Sequence, residues 1–228
     1  MASKIPIHAT YNGSDSDGLS EYQSGEIVQI DNGLLLGKAH KFSVDAENSW
    51  GWGDITADII SKGGANAPTF AAVTGLGNLY AYKFPGSAST LTEVFICWHI
   101  PHDYADGTDV YFHTHWINAT ATPSTNNVVW QFEYSIAKGH GQQAFPSPTT
   151  ISVTQACSAT RYMHHIAETA AVTSANLEVD SLIYCRIFRD AAHASDTNTD
   201  SDVYLLTADV HYQKNKFATK NRAPAFNT

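Results

Sequence analysis

Residues Glu93–Trp116 read EVFICWHIPHDYADGTDVYFHTHW, and this stretch decides both the fold and the search for function. Two apolar runs, Val94–Ile100 and Val110–Ile117, flank a turn that contains three aspartates. β-Branched and aromatic residues favour strands, and aspartate side chains bond the backbone N–H groups of tight turns. The stretch therefore predicts two β-strands paired as a hairpin, with four histidines in or near it.

The same strand signal continues to the end of the chain. In Val128–Ile136 apolar residues alternate with largely polar ones, and Val203–Gln213 repeats the pattern. This period of two is typical of half-buried antiparallel strands. No long helical pattern interrupts the series, so about eight strands predict an all-β fold, a jelly-roll-like two-sheet β-sandwich. The other predicted strands are Leu79–Phe84, Ile151–Thr154, Tyr162–Glu168 and Leu182–Arg189.

Two stretches before these strands give weaker signals. Asp54–Ser61 fits either one short helical turn or a strand, and the glycine- and alanine-rich stretch Gly63–Gly77 predicts a loop. Near the C-terminus, the polar stretch Asp190–Asp202 predicts a loop that projects from one end of the sandwich.

Residues 1–40 differ from the rest of the chain. Four turn signals of the type Asn-Gly, Asp-Gly or Ser-Gly follow one another at near-regular intervals around short apolar pieces. We therefore predict an extended N-terminal arm over residues 1–40 and a β-sandwich domain over residues 41–228. Such an arm buries little surface alone, so it must lie on the body domain or on another subunit. Its predicted interface residues are Ile5, Ile7, Tyr11, Leu19, Tyr22 and Ile27.

Composition restricts the partners. The net charge is −9 and no basic patch exists, which argues against nucleic acid. The sequence contains neither a signal-peptide pattern nor eighteen consecutive apolar residues, so we expect no membrane partner and synthesis in a cytoplasm. The odd number of cysteines, three, without C-x-x-C spacing, favours reduced thiols.

The histidines offer a possible metal site. His113 and His115 are two residues apart in a strand and share one face, and hairpin pairing would bring His99 and His102 close to them. Cupin-type jelly rolls bind metals with such an H-x-H spacing, a carboxylate and a further histidine. The further ligand would be His164, His165 or His211, and the carboxylate Glu133 or Glu168.

The alternative interpretation is stronger at the level of sequence. Trp116-Ile117 follows the H-x-H pair where a cupin would carry an acidic residue a few positions on. We therefore expect His113 and His115 to be hydrogen-bonded sheet residues or to meet their copies at an oligomer interface. The chain also lacks a G-x-S-x-G elbow, a phosphate-binding glycine loop and H-E-x-x-H. The prediction is no enzyme activity, no catalytic residues, no bound metal and no cofactor.

Other large or charged residues have structural interpretations. Trp116 and Trp130 lie in strand patterns and are expected in the core, whereas Trp50 and Trp52, flanked by glycine, are predicted surface contacts. Arg186 and Arg189 lie in a mostly apolar strand and need carboxylate partners. Asp209, on a neighbouring predicted strand, is a candidate.

Several segments together resemble a group of tailed-bacteriophage virion structural proteins. The most specific is IPHDYADGTDVYFHTHW, residues 100–116, which matches an IPHDY-x-x-GTD-x-x-x-H-x-HW pattern. The segments NVVWQFEYSIAKG, RYMHHIAE, IYCRIFRD and DVYLLTADVHYQ follow in the same order. TYNGSDSDGLSEYQSGEIVQI, residues 10–30, is similar to the start of phage fiber and capsid-surface proteins.

The resemblance implies a trimeric β-sandwich on the virion. Proteins of this kind include capsid decoration (cement) proteins and head or tail fibers. The leading expectation is a homotrimeric decoration protein on the outer surface of the phage head, with the major capsid protein as partner. The alternative is a fiber adhesion module whose apex loops, including Asp190–Asp202, contact a host surface glycan, and the third is the cupin-like metal-dependent enzyme.

Overall fold

A computed structural model describes residues 50–86, 91–122, 124–141, 143–173, 175–199, 201–215, 219 and 221–224. The predicted arm, residues 1–40, lies outside this part of the chain. No helix among the described residues is long and apolar enough to cross a membrane. The strands of the described residues are β1 (Trp50–Thr56), β2 (Thr69–Ala72), β3 (Tyr80–Phe84), β4 (Leu91–His99), β5 (Val110–Asn118), β6 (Asn127–Ala137), β7 (Thr149–Ala156), β8 (His164–Glu168), β9 (Leu182–Asp190) and β10 (Val203–Asn215).

The strands form two antiparallel sheets. The six-stranded sheet has the order β2-β3-β10-β5-β8, with β1 also paired to β10, and the four-stranded sheet has the order β4-β9-β6-β7. From β3 onward, four strands of each sheet oppose one another, β3-β10-β5-β8 against β4-β9-β6-β7. This connectivity is that of a jelly roll. The predicted all-β, jelly-roll-like sandwich is confirmed.

Aromatic side chains from both sheets fill the core. Trp98 of β4 stacks on Phe112 of β5 with ring centroids 5.5 Å apart. Phe84 of β3 meets Trp130 of β6 edge-on at 5.0 Å. Trp116 is also fully buried, so the core placement predicted for Trp116 and Trp130 is confirmed. Burying each such side chain stabilises the fold by about 1.5–3 kcal/mol.

The hairpin predicted for Glu93–Trp116 is wrong. β4 belongs to the four-stranded sheet and β5 to the six-stranded one. The stretch between them, residues 101–109, crosses the gap of about 10 Å that separates packed sheets. Tyr104 anchors this crossing because its ring is buried and its hydroxyl donates to the Thr108 carbonyl. Gly107, with φ at 81°, supplies a left-handed turn that other residues rarely adopt.

Two weaker sequence signals are now settled. Asp54–Ser61 begins inside strand β1, so the strand alternative is right for Asp54–Thr56. The predicted loop Gly63–Gly77 contains the four-residue strand β2, which pairs with β3. Three of its four residues are exposed, and a short exposed edge strand gives no alternating pattern in sequence.

The loop after β9 does not project freely. Arg189 donates to Asp196 through both Nε and Nη2, each at 2.8 Å, and both side chains are almost completely buried. Asn198 is buried as well. The partner proposed from sequence, Asp209, is wrong for both arginines, because Arg186 pairs with Glu93 and Glu133.

Substituting Asp196 with Asn should lower the free energy of unfolding by about 3–5 kcal/mol, because the Arg189 guanidinium would remain buried without its counter-charge. Denaturant unfolding followed by far-UV circular dichroism measures this change. Glu178→Gln is the matched control. It breaks the more exposed pair with Lys138 and should cost no more than about 1 kcal/mol. Equal losses in both variants would contradict the assignment.

Candidate functional site

The candidate functional site is a group of histidine and carboxylate side chains on the outer face of the six-stranded sheet. Along β5, Phe112 and Trp116 point into the core, so His113 and His115 lie on the opposite face. Antiparallel pairing places Asp209 of β10 beside His113. We call this surface the histidine face; its members are Asp54, His113, His115, His164, Glu168, Asp209 and His211.

A carboxylate and two imidazoles form the centre of this face. Nδ1 of His113 lies 2.6 Å from Oδ1 of Asp209, and Nε2 of His115 lies 3.2 Å from Oδ2 of the same side chain. The two ring nitrogens are 3.3 Å apart. His113 is 0% exposed and Asp209 6% exposed, although they lie on the outer face. Three potential ligand atoms thus converge in a nearly dry environment.

A second ring of polar side chains surrounds the centre. Nδ1 of His115 and Nε2 of His164 are 2.8 Å apart and share one hydrogen bond. His211 contacts two carboxylates, Asp54 through Nε2 and Glu168 through Nδ1, both at 2.8 Å. The His211 ring also lies against the His113 ring, with centroids 3.7 Å apart. The inner group is therefore covered by side chains of the same face.

Burial and charge act in opposite directions at the centre. Burial alone would raise the pKa of Asp209, but the nearby imidazoles of His113, His115 and His211 hold it below its ordinary value. For His115, burial dominates and lowers the pKa in spite of Asp209. An ionised carboxylate beside a neutral imidazole is thus favoured at neutral pH.

Some buried atoms of the centre lack hydrogen-bond partners. Among the described residues, neither Nε2 of His113 nor Oδ1 of Asp209 has one. The 2.6 Å contact between Oδ1 and Nδ1 of His113 is a close approach without hydrogen-bond geometry. Leaving a buried polar atom unpaired costs about 1–3 kcal/mol. The centre is therefore not satisfied by its own hydrogen bonds.

The ligand set predicted from sequence is only partly assembled. The fold brings His164, His211 and Glu168 to the histidine face. His165 instead stacks on Trp116 at 4.3 Å. Glu133 lies in the other sheet, paired with Arg186, and the carboxylate nearest His113 and His115 is Asp209. Sequence reasoning missed Asp209 and Asp54 as members of this group.

His99 and His102 lie elsewhere, because β4 and β5 do not pair. Nε2 of His99 is 3.1 Å from Oδ1 of Asp180, and Nε2 of His102 is 3.3 Å from the same oxygen. Nε2 of His140 approaches Oδ2 at 2.6 Å. Burial would raise the pKa of Asp180, but the His140 hydrogen bond and the three imidazoles lower it.

The predicted interface residues fall into two groups. Ile5, Ile7, Tyr11, Leu19, Tyr22 and Ile27, and the side chain of Trp50, lie outside the described part of the chain. Trp52 is 57% exposed and lies beside the histidine face, with its ring 6.4 Å from that of His211. A partner on this face would therefore meet Trp52 and the half-buried His115 before the buried His113.

An aromatic groove runs across the edge of the six-stranded sheet. Phe70 of β2 lies 5.8 Å from the Tyr80 ring and 5.1 Å from the Tyr82 ring of β3. The groove has a volume of about 350 Å³, and Leu206 and the polar Asp58 also line it. Phe70 is 59% exposed. Sequence reasoning missed this feature because Phe70 falls in a predicted loop.

Comparisons with known proteins do not show a family. No protein-family model and no curated protein sequence matches the chain. The Clostridium thermocellum xylanase 10B, solved as its CBM22-1 and GH10 modules with xylohexaose, is similar with a TM-score of 0.32 and 13% identity, over 75% of this chain and 28% of that one. An arabinose-bound GH51 α-L-arabinofuranosidase gives 0.30 and 8%, over 75% and 24%. This chain spans less than a third of either protein, and likeness this low carries no argument about function.

Replacing Asp180 with Asn should lower the melting temperature at about pH 5, and this loss should shrink as the pH falls below the ordinary carboxyl pKa of 3.8. The folded-state pKa of Asp180 is lowered, so its contribution is present above the ordinary value of 3.8 and lost as pH falls through the folded value. Thermal unfolding across this pH range measures the difference. Asp202→Asn, which weakens one surface contact to Lys83, is the control. A loss that persists at the lowest pH would contradict this account.

Proposed function

We propose that this protein is a structural component of a phage virion, a homotrimer on the outer surface of the head that stabilises contacts between major capsid subunits. The observation that carries the proposal is a patch of exposed apolar side chains on the edge of the six-stranded sheet. Phe70, Tyr80 and Leu206 line the aromatic groove and are exposed, and Leu79, next to Tyr80 in the chain, is 63% exposed. Monomeric proteins rarely leave large contiguous apolar patches in water, because such patches drive association.

The resemblance of residues 100–116 to phage virion proteins supports the proposal from the sequence side. These residues form the crossing between the sheets and most of β5, so the pattern coincides with the centre of the fold. Jelly rolls occur in viral capsid proteins but also in lectins and cupins, so the fold alone does not decide between them. The resemblance of residues 100–116 and the exposed apolar patch together favour a role in virion assembly.

The proposed mechanism is mechanical rather than catalytic. The rigid sandwich presents the apolar patch and Trp52, and contact with a capsid subunit or another copy removes this surface from water. Each square ångström of apolar surface buried contributes about 25 cal/mol before the costs of association. A lattice of many such contacts would stabilise the particle without requiring strong affinity at any one of them.

The purified chain should be a trimer by light scattering, and cryo-electron microscopy of intact particles should place it at many copies on the head. Phe70→Ser should reduce its occupancy on the particle severalfold, because the variant removes apolar area from the patch. Tyr184→Ser, an exposed aromatic position on the other sheet, is the control. Location at the tail only, or full occupancy of the Phe70 variant, would sink this proposal.

The aromatic groove favours a second candidate, an adhesion module that binds a host surface glycan. Sugar rings bind to exposed aromatic faces, and nearby polar groups orient their hydroxyls. Phe70 and Tyr80 supply the faces, and Asp58 and Thr207 line the same groove. The groove, and not the loop Asp190–Asp202, is the better site, because Asp196 and Asn198 in that loop are buried.

Glycan-array binding by the purified protein tests this second candidate. Binding that Tyr80→Ala reduces by about 5–30-fold and Tyr184→Ala leaves unchanged would favour it, since loss of one stacking ring of a sugar site costs about 1–2 kcal/mol. The absence of glycan binding by the wild-type protein, or a groove covered by capsid on the particle, would exclude it in favour of the structural role.

A further inference from the structure

The centre of the histidine face has the composition of a transition-metal site. Two imidazole nitrogens and one carboxylate converge from adjacent strands, with His113 and His115 on β5 and Asp209 on β10. Imidazole and carboxylate together suit zinc, iron, manganese, cobalt or nickel in the divalent state. Calcium and magnesium prefer all-oxygen sets. The donor chemistry therefore selects a first-row transition ion.

The spacing of the donor atoms agrees with coordination. Metal–ligand bonds of about 2.0–2.2 Å at angles between 90° and 110° place neighbouring ligand atoms roughly 3.0–3.4 Å apart. Nδ1 of His113 and Nε2 of His115 are 3.3 Å apart, and Nε2 of His115 is 3.2 Å from the Asp209 carboxylate. The 2.6 Å approach of His113 to Asp209 is shorter and would open slightly around an ion.

A buried carboxylate oxygen without a hydrogen-bond donor indicates that a positive charge is missing at the same place. Oδ1 of Asp209 is buried and has no hydrogen-bond donor among the described residues, although Nδ1 of His113 lies beside it. An ion bound between the two atoms would give this carboxylate oxygen a partner and would take the place of the proton that Nδ1 of His113 otherwise shares with Nε2 of His115. Hydrogen bonding alone leaves this carboxylate oxygen unpaired.

We propose that Nδ1 of His113, Nε2 of His115 and the carboxylate of Asp209 bind one divalent first-row transition-metal ion that links β5 to β10. Three protein ligands leave a further coordination position for solvent, as in two-histidine, one-carboxylate sites. Partial exposure of the His115 side chain, 18%, gives the ion a path to the site. Binding of this ion does not depend on where the protein acts.

His164 would support the site without touching the ion. With Nε2 of His115 on the metal, its Nδ1–H donates to Nε2 of His164 at 2.8 Å. A hydrogen bond of this kind fixes the tautomer of a ligating histidine and orients its ring. His164 is thus a positioning residue in the proposed site.

A rival ligand set shares one imidazole. Asp54, His113 and His211 also have potential ligand atoms within 4.8 Å of one another. His211 already contacts two carboxylates, Asp54 and Glu168, and the Asp54 side chain is 52% exposed. The set of His113, His115 and Asp209 is better buried and includes the unpaired Oδ1 of Asp209, so we assign the ion to this set.

Calorimetric titration of the chelator-treated full chain with Zn²⁺ tests the proposal, with Co²⁺ absorption as a second probe of the ligands. We expect one ion per chain. A Zn²⁺ concentration 100-fold above the dissociation constant should raise the melting temperature by roughly 5–10 °C, because the ion binds only the folded chain. His115→Ala and Asp209→Asn should each weaken binding more than about 100-fold, and His164→Ala by about 10–100-fold.

Two controls keep the outcome interpretable. His193→Ala removes a histidine that bonds only locally to Ser195 in the described residues, and it should leave Zn²⁺ binding unchanged. Asp54→Asn distinguishes the two ligand sets and should change the affinity for Zn²⁺ less than tenfold.

Circular dichroism in the presence of chelator confirms that each variant folds. If Asp209→Asn does not fold, the result for His115→Ala decides. Failure of the wild type to bind Zn²⁺ or Co²⁺, unchanged binding in His115→Ala, or loss of binding in Asp54→Asn overturns the proposal.

Discussion

The register between β5 and β10 is the constraint on which the rest of the structure depends. It sets Asp209 opposite His113 and Val210 opposite Phe112, so the two strands turn their apolar side chains to the core together. A slip of one residue would turn Val210 out and bury Asp209 among aromatic rings. β10 also pairs with β1 and β3 along its other edge, so the same register positions most of the six-stranded sheet.

This register concentrates charge where a sandwich usually has only a solvated surface. An ionised carboxylate withdrawn from water costs several kcal/mol unless opposite charge or donors compensate it. The imidazoles of His113 and His115 supply part of that compensation to Asp209, and a bound cation would supply the rest. Stability of the sheet and chemistry of its outer face are therefore properties of one cluster.

The parts of the fold that sequence predicted are those in which pattern and packing agree. β6 alternates cleanly, and its apolar residues Trp130 and Phe132 are in the core. The chain path between strands was not predictable in the same way. In sequence, β4 and β5 resemble a hairpin because both are strand patterns joined by a turn. Their placement in different sheets depends on how the two sheets pack, which no local pattern reveals. β2 was missed because four mostly exposed residues have no period to detect.

The candidate site shows the same division. The shared face of His113 and His115 follows from their spacing, whereas their pairing with Asp209 depends on a long-range register that no local pattern reveals. Alternation along β8 does contain one usable signal, because it separates His164 and Glu168 from His165. Strand parity alone would have removed His165 from the predicted ligands.

Anomalous X-ray scattering from crystals grown with Zn²⁺, measured at the zinc absorption edge, tests the central claim about this cluster most directly. The account predicts one strong peak per chain, about 2.0–2.2 Å from Nδ1 of His113, Nε2 of His115 and an oxygen of Asp209. A peak at the histidines around Asp180, a peak between Asp54 and His211, or no ordered peak would contradict it.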